Sequence, residues 1–142
     1  MERLEENVFY TLEKAVKAYR QFAQRGLSTA GLDITLDQWL VLKTVKQQSD
    51  ATQQQIAAMV FKDVASVTRI VEILVTKGYL ERSFLASDRR RQQLSVTELG
   101  DGMLQKVHPI SLGNRKAAFS GIDASEIEKL ESSLQSIIKN VS

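Results

Sequence analysis

The spacing of apolar residues changes between residues 78 and 79. Before that point, apolar residues recur at the three-to-four-residue spacing of amphipathic helices. The stretches "YLERSF" (79–84) and "QQLSVT" (92–97) alternate polar and apolar residues, which indicates two short strands. The "LASDRRR" that joins them holds the turn residues Ser87 and Asp88. The chain is therefore predicted to place a β-hairpin directly after a run of helices.

Short polar motifs predict where the helices begin. Thr35-Leu-Asp-Gln38, Thr52-Gln-Gln-Gln55 and Asp123-Ala-Ser-Glu126 have the pattern of capping boxes, in which two side chains satisfy free backbone N–H groups at a helix start. Asp63 is expected to cap a fourth helix that ends at Lys77-Gly78. The inward face of that helix is predicted to be Val64, Val67, Ile70, Val71 and Leu74.

The flanks are also predicted to be helical. Residues 4–25 carry an apolar stripe, and Gly26 is expected to end that helix. Residues 98–122 contain four glycines and Pro109, so we expect a kink or break near His108-Pro109, acting either as a hinge or as a local accommodation. The fold class is thus mainly α with a small β component (α+β): a winged helix-turn-helix between flanking helices.

The basic charge is concentrated in the middle of the chain. The 142 residues carry 19 Lys and Arg against 17 Asp and Glu, but residues 62–97 alone have an excess of three positive charges. There is no cysteine, one histidine, and none of the common catalytic or phosphate-binding motifs. We therefore expect no enzyme activity, no cofactor and no metal. With no signal-peptide pattern and no apolar run of membrane-spanning length, a cytoplasmic protein is expected.

The arginine triplet Arg89-Arg90-Arg91 is predicted at the tip of the hairpin, in the segment that joins its two strands. Arginine's planar fork fits phosphate oxygens and favours the narrow minor groove of DNA. Asp88 is expected to pair with a neighbouring arginine and to hold the turn in one shape. The alternative is a solvated charged loop without a partner.

Three stretches in this order resemble the MarR family of bacterial transcription regulators: "LDQWLVLKTV", "QQQIAAMVFKDVASVTRIVEILVTKGYLERS" and "SDRRRQQLSVTELG". The resemblance implies a homodimer that binds double-stranded DNA. It further implies one domain over 1–142, with a DNA-binding winged-helix lobe at about 35–100 and dimerisation helices at about 1–26 and 101–142. The apolar stripes of the flanking helices favour a symmetric dimer independently, the alternative being an intramolecular bundle.

The DNA-binding residues are predicted at the start of the third helix, on the outer face of the fourth and on the wing. They are Thr52, Gln54, Ala65, Ser66, Thr68, Arg69, Asp88, Arg89, Arg90 and Arg91. In helix-turn-helix docking the fourth helix enters the major groove. Arg69 would read guanine or hold phosphate, and Ser66 would either contact a base or cap the helix.

The resemblance also implies a small aromatic or phenolic effector in a crevice between the two regions. Tyr19, Phe22, Trp39 and His108 are the candidates for its lining, and each has the alternative of belonging to the core. The predicted function is a repressor that binds an inverted-repeat operator and is released by such an effector. The alternative is a winged-helix module that binds a protein partner instead of DNA.

Overall fold

The computed structural model describes residues 1–85 and 87–142, and for Leu85, Arg89 and Arg91 only the backbone. A 3₁₀ turn at Leu4–Glu6 precedes the first long helix. The elements then follow as α1 (Val8–Thr29), α2 (Leu36–Gln47), α3 (Gln53–Val60), α4 (Val64–Thr76), β1 (Leu80–Leu85), β2 (Asp88–Val96), α5 (Glu98–Ala118) and α6 (Ala124–Val141). The two strands pair antiparallel. The predicted class, mainly helical with a small sheet, is confirmed.

Capping explains where three of the helices begin. The Thr35 hydroxyl accepts from the Gln38 N–H at 3.1 Å, and the Gln38 side-chain oxygen accepts from the Thr35 N–H at 3.1 Å. The same reciprocal pair forms between Thr52 and Gln55 at 3.2 and 2.8 Å. Asp63 caps α4. These predictions are confirmed.

The capping box predicted at Asp123 is wrong. Asp123 is the N-cap residue of α6, but its side chain makes no capping hydrogen bond. The Glu126 N–H instead donates to the Asp123 backbone carbonyl at 3.0 Å. A backbone turn therefore satisfies the donor that the box would have used.

The core lies where α2, α3 and α4 meet the base of the hairpin and the first half of α5. Val41, Leu42, Ile56, Val67 and Leu74 are among its fully buried side chains. Tyr79, Leu80 and Leu94 close it from the hairpin side, and Met103 and Val107 close it from α5. Most of the core therefore belongs to the lobe that the sequence marks as DNA-binding.

Val64 departs from the predicted inward face of α4. Val67, Val71 and Leu74 are buried and Ile70 is partly buried, but the side chain of Val64 is 42% exposed. Val64 is the first residue of the helix, one turn before α4 packs against its neighbours.

Gly26 does not end α1. The helix continues to Thr29, and Gly31, at φ +70°, supplies the left-handed residue beyond its end. Gly26 faces α5, where a Cβ atom would lie 3.3 Å from the Asn114 Oδ1 and 3.4 Å from the Ile110 Cγ2. The absence of a side chain at Gly26 thus allows α1 and α5 to approach closely.

The break expected near Pro109 is also absent, because α5 is one helix from Glu98 to Ala118 with Pro109 inside it. Proline has no N–H, so the carbonyl of Gln105 loses its partner within the helix. Both Gln105 and Pro109 are exposed in the chain, which leaves that carbonyl accessible to water. The cost of an interior proline is lowest on such a face.

Candidate nucleic-acid interface

The outer face of α4 carries the residues predicted to read DNA. Ala65, Arg69 and Glu72 are exposed, whereas Ser66 and Thr68 are half-buried. The Arg69 guanidinium lies 3.4 Å from the Ser66 hydroxyl, a long contact that leaves its remaining donors available. Arg69 is therefore the strongest hydrogen-bond donor on this face.

Thr68 has a structural role beside its predicted one. Its hydroxyl lies 2.7 Å from the Gln53 Oε1 and 2.9 Å from the Val64 carbonyl oxygen. Its single proton is used within the protein, so toward a base Thr68 is limited to accepting a hydrogen bond. Gln53 links the start of α3 to α4, a role that the sequence analysis missed. The only signal for it was a third polar residue inside the Thr52 capping motif.

Asp63 fixes the start of α4 through its carboxylate. The Asp63 Oδ1 accepts from the Ser66 N–H at 2.7 Å. The hydrogen bonds from Ser66, backbone first and then side chain, hold the pKa of Asp63 below its ordinary value, and the charges of Arg69 and Lys62 add to this. The N–H of Ser66 thus belongs to the cap of α4, while its hydroxyl contacts Arg69.

At the start of α3, Thr52 and Gln54 are both exposed. The Thr52 hydroxyl oxygen accepts the capping hydrogen bond, which leaves its proton free for an external acceptor. Gln54 is the second residue of α3. The two side chains are therefore both accessible for contacts with phosphate.

The arginines of the wing lie in strand β2, not in the connecting turn as the sequence predicted. Asp88 begins β2, and its Oδ1 accepts from the Arg90 N–H at 3.0 Å. Asp88 thus contacts the backbone of the arginine segment, while the predicted ion pair with a guanidinium involves Arg89 and Arg91 as candidates and so lies partly outside the described residues. The Arg90 side chain is exposed, and those of Arg89 and Arg91 lie outside the described residues.

The pairing of the two strands is irregular beside these arginines. The register is regular from Leu80 opposite Val96 to Phe84 opposite Gln92, and the next pair is Leu85 with Asp88. Residues 89–91 therefore have no partners in the register of β1. Such a bulge bends the strand and re-aims its side chains, which physically separates the arginine segment from the regular ladder.

The base of the wing is held by Thr97. Its hydroxyl donates to the Gly78 carbonyl at 2.5 Å and accepts from the Gly100 N–H at 3.0 Å, while its own N–H donates to the Tyr79 carbonyl at 3.1 Å. One residue thereby joins the end of α4, the end of β2 and the start of α5. The sequence showed the Thr97–Gly100 spacing but not this role.

The four predicted effector residues do not share one crevice. Tyr19 and Trp39 line a cavity of about 310 Å³ between α1, α2, the end of α3 and α5. His108 lies in a more open cleft of about 520 Å³ on α2 and α5, which Trp39 also borders. Phe22 borders a third depression, beside Gly26 and Asn114. Of the four, only Tyr19 and Trp39 together line the cavity that extends to the end of α3 and the turn before α4.

Residues 34–91 match the family model described as "MarR family". This segment contains α2, α3, α4, β1 and the start of β2, which carry the predicted DNA-binding residues. Over this segment the chain is similar to the MarR family. The solved structures that share its fold include transcriptional regulators, one of them described as a member of the MarR family.

Solved structures show the same fold over nearly the whole chain. A probable transcriptional regulator from Pseudomonas aeruginosa is 24% identical, with a TM-score of 0.83, and the match covers 95% of this chain and 99% of that one. Bordetella bronchiseptica BpsR, whose DNA binding is regulated by 6-hydroxynicotinic acid, is 20% identical, with a TM-score of 0.86 and coverage of 96% of both chains. Rhodococcus jostii CouR, solved with p-coumaroyl-CoA, is 21% identical, with a TM-score of 0.82 and coverage of 96% and 95%. The MarR-family fold thus extends beyond residues 34–91 to the flanking helices.

In the described part of the chain, no helix has both the length and the apolar character needed to cross a bilayer.

Proposed function

We propose that this protein is a DNA-binding transcription regulator of the MarR family, a homodimeric repressor that binds an inverted-repeat operator and is released by a small-molecule effector. The observation that carries the DNA-binding geometry is the capped helix α4, with the exposed guanidinium of Arg69 on its outer face. The hairpin that follows in the chain adds a second exposed guanidinium, Arg90. These two positions favour a docking in which α4 enters the major groove and the wing contacts phosphates or the minor groove.

The dimer is proposed from the apolar surface of the flanking helices. Val8 and Val16 on α1, and Leu130 and Ile138 on α6, are between 46% and 58% exposed. No residue of α6 is buried in the single chain. Exposed apolar stripes of this kind mark interaction surfaces, and a second copy related by a two-fold axis is the commonest way in which they are buried. We assign 1–26 and 101–142 to this role and 35–100 to the DNA-binding lobe.

An inverted repeat follows from the proposed symmetry. In a two-fold dimer the two α4 helices would enter successive major grooves about 34 Å apart, so the two half-sites should be related by the same axis. A dimer on such a site covers the duplex on one side and excludes other proteins from it. Repression is the role we infer from that occupancy.

The cavity lined by Tyr19 and Trp39 is the proposed effector site. Its volume of about 310 Å³ lies at the lower end of the range for small-molecule sites and fits a single aromatic ring with a short substituent. DNA binding by BpsR is regulated by an aromatic acid, 6-hydroxynicotinic acid, and CouR was solved with an aromatic acyl thioester, p-coumaroyl-CoA. An aromatic acid is accordingly the effector class that we propose.

The test is the selection of bound fragments from a DNA library by the purified protein, followed by sequencing. We expect one enriched motif with two half-sites in inverted orientation, about one helical turn apart. Enrichment of an asymmetric or unrepeated motif would exclude the symmetric docking. Recovery of no motif at all would favour the protein-binding module instead.

A further inference from the structure

We propose that the effector cavity recognises a carboxylate through Arg20, and that the carboxylate acts by taking Arg20 away from Asp37. The inference rests on the proposed effector function. It assigns the competing partner within the protein and the route by which occupancy of the cavity lowers DNA affinity.

The first step is the connection itself. Arg20, on α1, lines the cavity, and its guanidinium contacts the Asp37 Oδ1. The other carboxylate oxygen, Oδ2, lies 3.1 Å from the Lys62 Nζ. The side chains of all three are between 30% and 40% exposed. One carboxylate on α2 therefore joins a cation on α1 to a cation in the turn between α3 and α4.

Lys62 stands next to the element that would read DNA. It immediately precedes Asp63, the residue that caps α4, and its charge is one of those that lower the pKa of Asp63. The preceding residues Met59, Val60 and Phe61 form part of the cavity wall. Occupancy of the cavity and the position of the α4 N-terminus are thus linked through one short segment.

Phe61 is a residue of that segment with an unfavourable backbone conformation and little packing of its side chain. Its φ is +59°, the left-handed region, although it has a bulky side chain, and that side chain is 93% exposed. The left-handed conformation is disfavoured for a residue with a bulky side chain. A ligand that repositions this turn would therefore meet little opposition from packing at Phe61.

The chemistry of the lining selects the ligand class. Among the described residues that border the cavity, Arg20 is the one cation, and the polar groups of Tyr19, Ser111 and Asn114 are neutral. The remaining lining is apolar. A monocarboxylate with an apolar body matches this arrangement, because a guanidinium binds a carboxylate with two parallel hydrogen bonds.

The consequence for DNA binding follows from the competition. A guanidinium that turns its fork toward a ligand cannot keep the same contact with Asp37. Asp37 then retains Lys62, and the ion pair between α1 and the lobe is lost. In the proposed dimer α1 belongs to the interface, so the lobe would be held less firmly relative to the two-fold axis. The lobe would then lose more conformational freedom when the dimer binds both half-sites at once. DNA affinity would therefore fall.

The test uses 3-phenylpropionate and its neutral amide, 3-phenylpropanamide, as probes of equal shape. Binding is followed by the fluorescence of Trp39, the single tryptophan of the chain and part of the cavity lining. DNA affinity is measured at fixed salt on the operator from the selection experiment. The variants are Asp37→Asn, Arg20→Gln and, as a matched loss of one carboxylate, Asp33→Asn, whose partner is Lys77 at the other end of α4.

We expect the parent protein to prefer the acid to the amide, and the acid to weaken DNA binding. Asp37→Asn frees Arg20 from its competitor, so it should bind the acid about fivefold more tightly with the amide unchanged, and should bind DNA more weakly even without a probe. Arg20→Gln should lose the preference for the acid. Asp33→Asn should match the parent in probe binding.

Several results would overturn the inference. One is an unchanged acid affinity in Asp37→Asn, and another is a retained preference for the acid in Arg20→Gln. A third is that neither probe binds the parent, which would exclude a site for a monocarboxylate of this size. If instead the acid weakens DNA binding equally in the parent and in Asp37→Asn, the proposed effector function stands and only the competition fails.

Discussion

At the scale of single residues, two glycines of α5 illustrate opposite requirements. A Cβ atom at Gly100 would lie 2.3 Å from the Tyr79 carbonyl oxygen and 2.8 Å from the Val96 Cγ1, whereas at Gly102 it would meet nothing within 4 Å. We expect Gly100→Ala to lower the free energy of unfolding by about 2–3 kcal/mol, through the forced separation of the hairpin base from α5.

Gly102→Ala is the matched control. It lies two residues further along the same helix and should raise the free energy of unfolding by roughly 0.5–1 kcal/mol, because alanine is the better helix former. Denaturant unfolding of both variants measures the difference. Equal effects of the two changes would show that the contact at Gly100 is not rigid.

Asp63 gives a residue-scale prediction about pH. Its pKa is lowered in the folded protein by the hydrogen bonds from Ser66, so its charge stabilises the fold above the ordinary carboxyl pKa. That contribution is lost as the pH falls through the lowered folded pKa. Asp63→Asn keeps a capping oxygen but has no charge to lose. We expect the stability advantage of the parent over Asp63→Asn to shrink when both are unfolded at progressively lower pH; a constant difference would contradict the charge contribution.

At the scale of secondary-structure elements, the wing carries the next prediction. Arg90 is exposed and bonded to Asp88 only through its backbone N–H, so its removal should not disturb the hairpin. We expect Arg90→Ala to weaken DNA binding by about 1–3 kcal/mol per half-site contact at constant salt, with little change in stability. Arg82→Ala, an exposed arginine on β1 of the same hairpin, controls for the loss of one charge. Equal losses from both variants would mean that the position of Arg90 has no special role.

The outer face of α4 makes a different kind of prediction. If Arg69 forms a forked contact with guanine, Arg69→Ala should relax the preference at one base pair in each half-site, symmetrically. If it holds phosphate, affinity should fall on every sequence and the salt dependence should become less steep. Repeating the fragment selection with this variant separates the two, and Glu72→Ala, on the same exposed face, serves as the control.

The elements also show which expectations a sequence can support. The boundaries at Thr35, Thr52 and Asp63 were predicted because capping is local, and the donor and acceptor lie three residues apart. The errors at Gly26 and Pro109 have the opposite origin. Whether a glycine ends a helix or admits a neighbouring one depends on α5, and whether a proline is tolerated depends on which side faces water. Neither the packing of α1 against α5 nor the exposure of Pro109 can be predicted from the residues of a single helical turn.

The wing and the cavity show the same division. Alternation predicted two strands, but it did not reveal that the arginines occupy an irregularity within β2, because a bulge depends on the pairing of both strands. The aromatic residues Tyr19 and Trp39 were predicted as cavity lining, whereas Arg20 and its ion pair with Asp37 were not predicted. Seventeen positions separate those two along the chain, and only the packing of α1 against α2 brings them together.

At the scale of the whole molecule, the proposed dimer depends on the apolar surface of α1 and α6. Ile138 is 55% exposed in the single chain. In a dimer interface, Ile138→Lys would bury a charge against an apolar partner surface, which is strongly unfavourable. We expect this variant to shift the protein from dimer toward monomer in sedimentation experiments. Lys139→Ala, at the adjacent exposed position, should leave the distribution unchanged. A parent protein that is already monomeric at high concentration would exclude the dimer.

The lack of buried residues in α6 has a consequence for how the molecule assembles. Isolated helices of about this length are marginal in water, because nucleation is costly and tertiary packing supplies most of their stability. If the cover for α6 comes from a second chain, its folding and its association are a single equilibrium governed by protein concentration. Dilution would then unwind the 18 residues of α6 while the winged lobe, with its own core, stayed folded. Circular dichroism would record this as a loss of helical signal at concentrations where tryptophan fluorescence still reports an intact lobe.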